Sequence, residues 1–157
     1  MAALLFCSSS SLSAGWNEFE EKCLWVVRNT ITNKEAIDEV VEFAEANGFN
    51  HLLIQVRGRG DAYYQSQLVS RSELLLDPEF DPLGYVIEKA HDRGLNVHAW
   101  VNVYIVWASN KRPRALHHIY NRHSNWIDTN GNNTRSLFNH ENEMMGEGYF
   151  LAPHHPE

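Results

Sequence analysis

Between residues 23 and 104 the apolar positions of this chain alternate between two rhythms, short runs rich in β-branched and aromatic residues and longer stripes at helical spacing. Cys23 to Arg28 is the first short run and predicts a buried strand. Ile37, Val40, Val41 and Ala44 then recur on one helical face. Thr32 and Glu35 before them have the spacing of a capping box, and Asn47-Gly48 supplies the stop. His51 to Arg57 reads as a second strand, followed by the glycine-rich Gly58-Arg59-Gly60-Asp61 and a longer loop reaching Phe80. Asp81 as cap and Pro82 at the first helical position open a second helix, with Leu83, Val86, Ile87 and Ala90 facing inward and Gly94 ending it. Asn96 to Tyr104 completes the series as a third strand. Val97, Ala99, Val101 and Val103 alternate there with His98, Trp100, Asn102 and Tyr104.

The two helix-to-strand junctions echo each other, Asn47-Gly48-Phe49-Asn50 and Arg93-Gly94-Leu95-Asn96. Strands joined through helices imply parallel pairing, because a crossover of a dozen or more residues is what parallel neighbours need. Pattern alone leaves a barrel and an open doubly wound sheet both possible. The third strand favours the barrel, since the face opposite its valines carries large polar and aromatic groups that are costly to bury without partners, and a barrel points such a face toward its interior and its C-terminal rim. A dinucleotide reading of Gly58-Arg59-Gly60 lacks a third glycine and an immediate helix. Past Tyr104 the rhythm is irregular: Trp107, a basic patch at Lys111, Arg112 and Arg114, a short helix expected within Pro113 to Arg122, a turn at Asn130-Gly131, an extended piece at Tyr149 to Leu151, and a helix lead-in from Pro153 to Glu157.

Composition adjusts this picture in four respects. At 157 residues the chain is shorter than the roughly 250 of a complete eight-stranded α/β barrel, so the expectation is a tail over 1–22 and the N-terminal part of a TIM-type (β/α)8 barrel over 23–157, incomplete at its C-terminal side. With 43% apolar and 21% charged residues most of it should fold. A net charge of -7 disfavours nucleic acid and suits a neutral or weakly charged substrate. The cysteines, Cys7 and Cys23, provide no disulfide framework or cysteine-rich zinc site, and no apolar run reaches the length of a membrane span. Met1 to Gly15, with its short apolar run and serines, reads either as a remnant of a secretion signal or as a disordered tail.

Several segments in order resemble the glycosyl-hydrolase-like 10 family. They are Leu24-Trp25-Val26; Gln55-Val56-Arg57 leading to Gly60-Asp61-Ala62-Tyr63-Tyr64 and Ser66; Phe80-Asp81-Pro82-Leu83; and Ala90-His91 before Arg93-Gly94-Leu95. Val97-His98-Ala99-Trp100-Val101-Asn102 with Tyr104, Ser124-Asn125-Trp126, and Tyr149 to Leu151 with Pro153, His155 and Pro156 complete the set. The resemblance implies a bacterial (β/α)-barrel hydrolase, exported, periplasmic or lipid-anchored at the cell envelope, acting on an envelope or other polysaccharide. It also implies that a fourth strand bearing a catalytic aspartate follows the segment matching Pro153 to Glu157, so that this chain is expected to be inactive by itself and prone to self-association. Val103 and Arg71 depart from the family pattern, which has proline and an aromatic-rich segment at those places.

Glycoside hydrolysis uses two carboxylates flanking the scissile bond, and no such pair is legible, so the catalytic residues are left unassigned. Asp61 is the best acidic candidate, either orienting a sugar hydroxyl or holding Arg57, or simply stabilising its own turn. Arg57 is read as a bidentate donor to a carboxylate, of the protein or of an acidic sugar. His98 and Asn102 are expected on the substrate side near the rim, and Trp100 beside them or as barrel core. Tyr64, Tyr104 and Trp126 offer flat faces for sugar rings or for packing. His117-His118 and His154-His155 do not make a metal site, because adjacent residues do not share a helix face; His51, His91, His123 and His140 read as surface or cap residues. No cofactor is expected. The alternative function is a carbohydrate-binding or scaffold module that cleaves nothing.

Overall fold

The structure is a computed structural model and describes residues 21–109, 111–128 and 148–153. Strand β1, Cys23–Val26, is shorter than its apolar run, because Arg28–Ile31 wind into a 3-10 turn closed by Thr30 N–H on the Val27 carbonyl. The turn drives Ile31 completely into the core. It also relocates the helix cap. Thr32 is αR as the turn ends, so the extended residue that can cap is Asn33, whose side chain accepts from Ala36 N–H at 2.9 Å. Helix α1 runs over Lys34–Ala46, and Ile37, Val41 and Ala44 are buried along one stripe.

Both helices end by the same device. After α1, Gly48 at φ +68° lets Gly48 N–H reach Glu45 O and Phe49 N–H reach Ala44 O. After α2, Pro82–His91, Gly94 at φ +69° repeats this with His91 O and Ala90 O. Only glycine takes that left-handed turn without steric cost, which is why the two junctions look alike in sequence. Asp81 precedes Pro82 as the cap residue, although its side chain makes no capping hydrogen bond. Val86 and Ala90, four apart, are buried, whereas Ile87 is 37% exposed and does not face inward as its spacing suggests, being rotated one position off that line.

Strand β2, His51–Arg57, lies between β1 and β5, Asn96–Val101, with both pairings parallel. Val26 is opposite Ile54, and Ile54 opposite Ala99. Val26, Leu52, Ile54 and Val56 pack with Ile37, Val41, Val86 and Ala90 of the helices into the main core. The third strand is shorter than its alternation predicts: the ladder shifts register between Gln55 and Arg57, β5 stops at Val101, and Val103, expected on the strand's valine face, is 59% exposed. The chain then turns away. Ile105–Trp107 (β6) pairs antiparallel with Tyr149–Phe150 (β7), and Val106, Trp107, Ile127 and Tyr149 form a second, smaller core.

The loop after β2 contains a miniature parallel ladder, Asp61–Ala62 (β3) with Ser70–Arg71 (β4), too short for any periodicity to reveal. The helix expected within Pro113 to Arg122 is confined to α3, Ile119–Arg122, with His118 as its cap. Asn130-Gly131 and residues 154–157 of the expected helix lead-in lie outside the described residues. The described architecture is a mixed α/β fold with a parallel sheet and both long helices on one of its faces.

Candidate functional site

Alternation along the strands sends Trp25, Gln55, His98 and Trp100 to the sheet face opposite the helices. Their contacts are specific. Trp25 and Trp100 meet edge to face at 4.8 Å. Trp100 Nε1 donates to Asn102 Oδ1 at 2.8 Å, and Asn102 Nδ2 donates to the Gly58 carbonyl at 3.0 Å, so Asn102 fastens the end of β5 to the glycine-rich loop. Its backbone N–H adds a bond to Arg57 O. Gln55, buried although polar, accepts from Arg28 Nη1 at 3.2 Å, and the Arg28 side chain lies directly across Gly58. His98 belongs elsewhere on this face. Its Nε2 is 2.8 Å from His51 Nδ1, and His51 pairs in turn with Glu21. Four strand residues, about 13 Å, separate it from Asn102, so it does not sit at the rim.

At the rim the chain doubles back. Asp61 N–H bonds to Arg59 O, and Arg59 Nε donates to Asp61 Oδ2 at 3.2 Å. The carboxylate therefore holds Arg59 rather than Arg57, because residues two apart in an extended turn share a side. Asp61 is 2% exposed, and the Arg59 guanidinium lies 3.9 Å over the Trp107 ring. Trp107 also meets His118 edge to face. Gly60 donates to Val106 O and fits against His118 so closely that a methyl there would stand 2.8 Å from His118 Cε1. His118 accepts from Tyr120 N–H through Nδ1; burial pushes its pKa down to about 4, outweighing the nearby Asp61 carboxylate, so the ring is neutral near pH 7. Burial raises the Tyr63 phenol above its ordinary value, with Asp61 adding to the effect.

Beside this buried cluster opens a cavity of about 190 Å³. Arg57, Gly60 and Ser70 line it from the loops after β2, and His117, Arg122 and His123 from the α3 segment. Trp126 completes the wall, stacked on His123 at 3.9 Å between centroids. Of the residues singled out in sequence as binding candidates, Arg57 and Trp126 reach this cavity. Asp61 sits behind it, Asn102 and Trp100 connect to it through Gly58, and His98 is remote. Tyr64 is half-buried against the main core, and Tyr104 is exposed, its carbonyl accepting from Leu151 N–H. Ser70, His117, Arg122 and His123 were not legible as site residues, since they fall in stretches without periodicity. His123 does cap α3 as its sequence suggested. Among the described residues no group of three or more His, Cys, Asp or Glu side chains is placed to hold a metal ion, and no helix is long and apolar enough to cross a membrane.

A parallel α/β sheet with a cationic and aromatic cavity at the C-terminal ends of its strands has the layout in which α/β enzymes bind ligands. This chain belongs to the glycosyl hydrolase-like 10 family, whose model matches residues 13–157. It is 29% identical over 135 residues to the glycosyl hydrolase YngK of Bacillus subtilis (strain 168), covering 80% of this chain and 26% of that protein. It is 29% identical over 114 residues to the glycosyl hydrolase DigH of Escherichia coli (strain K12), covering 62% of this chain and 26% of that protein. The chain thus spans about a quarter of the length of these relatives. Among solved structures, that of a hypothetical protein from Ruminiclostridium thermocellum ATCC 27405 shares the fold with a TM-score of 0.55 at 12% identity, over 83% of this chain and 60% of the other.

Proposed function

We propose that this chain supplies the first strands and part of the substrate-binding rim of a (β/α)8-barrel glycosidase that acts on a bacterial cell-envelope or related polysaccharide. In this reading residues 23–157 are barrel and 1–22 a leader or tail directing the protein toward the envelope. The supporting observation is the cavity at the strand ends, where the Arg57 guanidinium and the Trp126 indole share one wall system within a segment matched to the family. An indole packs against the apolar face of a sugar ring while a guanidinium fixes its oxygens. The two reacting carboxylates would come from portions corresponding to the rest of the relatives' length.

One observation favours a second reading, in which the chain binds glycan and cleaves nothing. The acid at this rim, Asp61, is buried and engaged by Arg59, and hydrolysis needs a pair of carboxylates about 5 to 9.5 Å apart across the scissile bond. Reducing-end release and glycan binding, measured together on cell-envelope glycan and on a neutral polysaccharide, separate the readings. The barrel reading expects residues 1–157 to bind without releasing ends, and a polypeptide continued to the relatives' length to release them. Binding by both without release supports the second reading. Failure of either to bind any glycan overturns both.

A further inference from the structure

The arginines of this protein divide sharply by what they face. Arg59 holds Asp61, Arg93 pairs with Glu42 and Glu45, and Arg114 pairs with Glu73. Arg28 is engaged by Gln55, and Arg71 donates to the carbonyls of Asp77 and Phe80. Arg57 and Arg122 differ. Both line the cavity, and neither has an ion pair or a side-chain hydrogen bond among the described residues. Arg57 Nε is fully shielded from solvent and lacks a partner, as does the Oγ of Ser70 on the same cavity wall. In a protein of net charge -7 two unmatched guanidinium groups converging on one small cavity are a local reversal of the overall field. A carboxylate of the protein would be the ordinary partner, yet no aspartate or glutamate lines this cavity.

Resting on the glycosidase or glycan-binding reading above, we infer that this cavity is a carboxylate subsite that selects polysaccharides carrying an acidic sugar. The planar fork of arginine matches a carboxylate bidentately, and the cavity has no lysine, so recognition depends on geometry as well as charge. Trp126 supplies the wall for the apolar side of the same sugar unit, and the Ser70 hydroxyl a neutral hydrogen-bonding group beside the anion. This refines the expectation drawn from net charge, which pointed to a neutral or weakly charged substrate: the overall charge keeps polyanions such as nucleic acid away, while the cavity admits one isolated negative group.

The test compares ligands that differ only in that group. Oligogalacturonate and its methyl ester form one pair; de-peptidated glycan strands containing muramic acid and the same strands with their carboxylates reduced to alcohols form the other. Affinity is read from quenching of tryptophan emission, with inorganic phosphate as competitor. In at least one pair the acid form should bind about tenfold more tightly than its neutral counterpart, a difference of about 1.4 kcal/mol, and the pair that shows it distinguishes a uronate from a lactyl carboxylate. Arg122→Gln, at an exposed position where folding is not at stake, should remove the preference, and Arg57→Lys, which keeps charge but loses the fork, should weaken it. Equal affinity for acid and neutral forms would overturn the subsite while leaving glycan binding intact. Phosphate displacing the acid glycan at equal concentration would overturn the sugar assignment. Loss of binding to every glycan would sink the function proposed above, and this inference with it.

Discussion

The two faces of the three-stranded sheet are built on different physical terms. On the helix-covered face Leu52, Ile54 and Val56 are at most 2% exposed and interlock with Ile37, Val41, Val86 and Ala90, a packing made of many small, undirected contacts. On the opposite face Trp25 is 61% exposed, and what order exists comes from single directed contacts: indole on indole, Trp100 to Asn102, Asn102 to Gly58, His51 to His98. One face holds the fold together. The other presents chemistry, and at its C-terminal end opens into the arginine-lined cavity.

If that division is right, substitutions should sort by face. The largest loss is expected from Ile54→Ala, which deletes a fully buried side chain at the centre of the middle strand and should cost about 3 kcal/mol in a urea or thermal melt. A cost below about 1 kcal/mol would show that the helix face is not the main source of stability.

Next comes the rim cluster, through pH. His118 has its pKa near 4 when folded and near 6.5 when exposed, so between those values the unfolded chain binds the extra proton. The stability associated with a neutral, buried His118 is full above about pH 6.5 and is lost as pH falls toward 4. We expect about 2 kcal/mol across that window, with His118→Asn, which keeps an acceptor for the α3 cap, flattening the profile. An unchanged slope in the variant would assign the pH dependence to other groups. The smallest effect is predicted for Trp25→Ala on the open face. Losing an edge-to-face partner from a largely exposed position should cost about 1 kcal/mol or less, while glycan binding at the rim stays unchanged; a loss comparable to that of Ile54→Ala would erase the distinction between the faces.

Sequence pattern reached the helix-covered face well because periodicity reports which residues are buried together. The alternation in His51 to Arg57, the stripe Ile37-Val41-Ala44 and the paired glycines 48 and 94 each correspond to an observed element or turn. Local competition hid the rest. Thr32 and Asn33 are both good caps, and the preceding 3-10 turn, which no periodicity announces, decides between them. At the rim, Asp61 has arginines at positions 57 and 59, and only the turn geometry gives it to Arg59. The wall formed by His117, Arg122 and His123 depends on a four-residue helix folding back over the β2 loops, a tertiary event without a repeating signature. Arg57 was the exception, visible because it closes a strand at a glycine-rich loop.

The most direct test of the account is to map where a glycan touches the chain, by following backbone amide resonances during titration with an acidic oligosaccharide. Shifts should concentrate at Arg57 to Asp61, at Ser70, and from His117 to Trp126, leaving the outer surfaces of α1 and α2 undisturbed. Perturbations confined to the helices, or spread evenly over both faces, would contradict it.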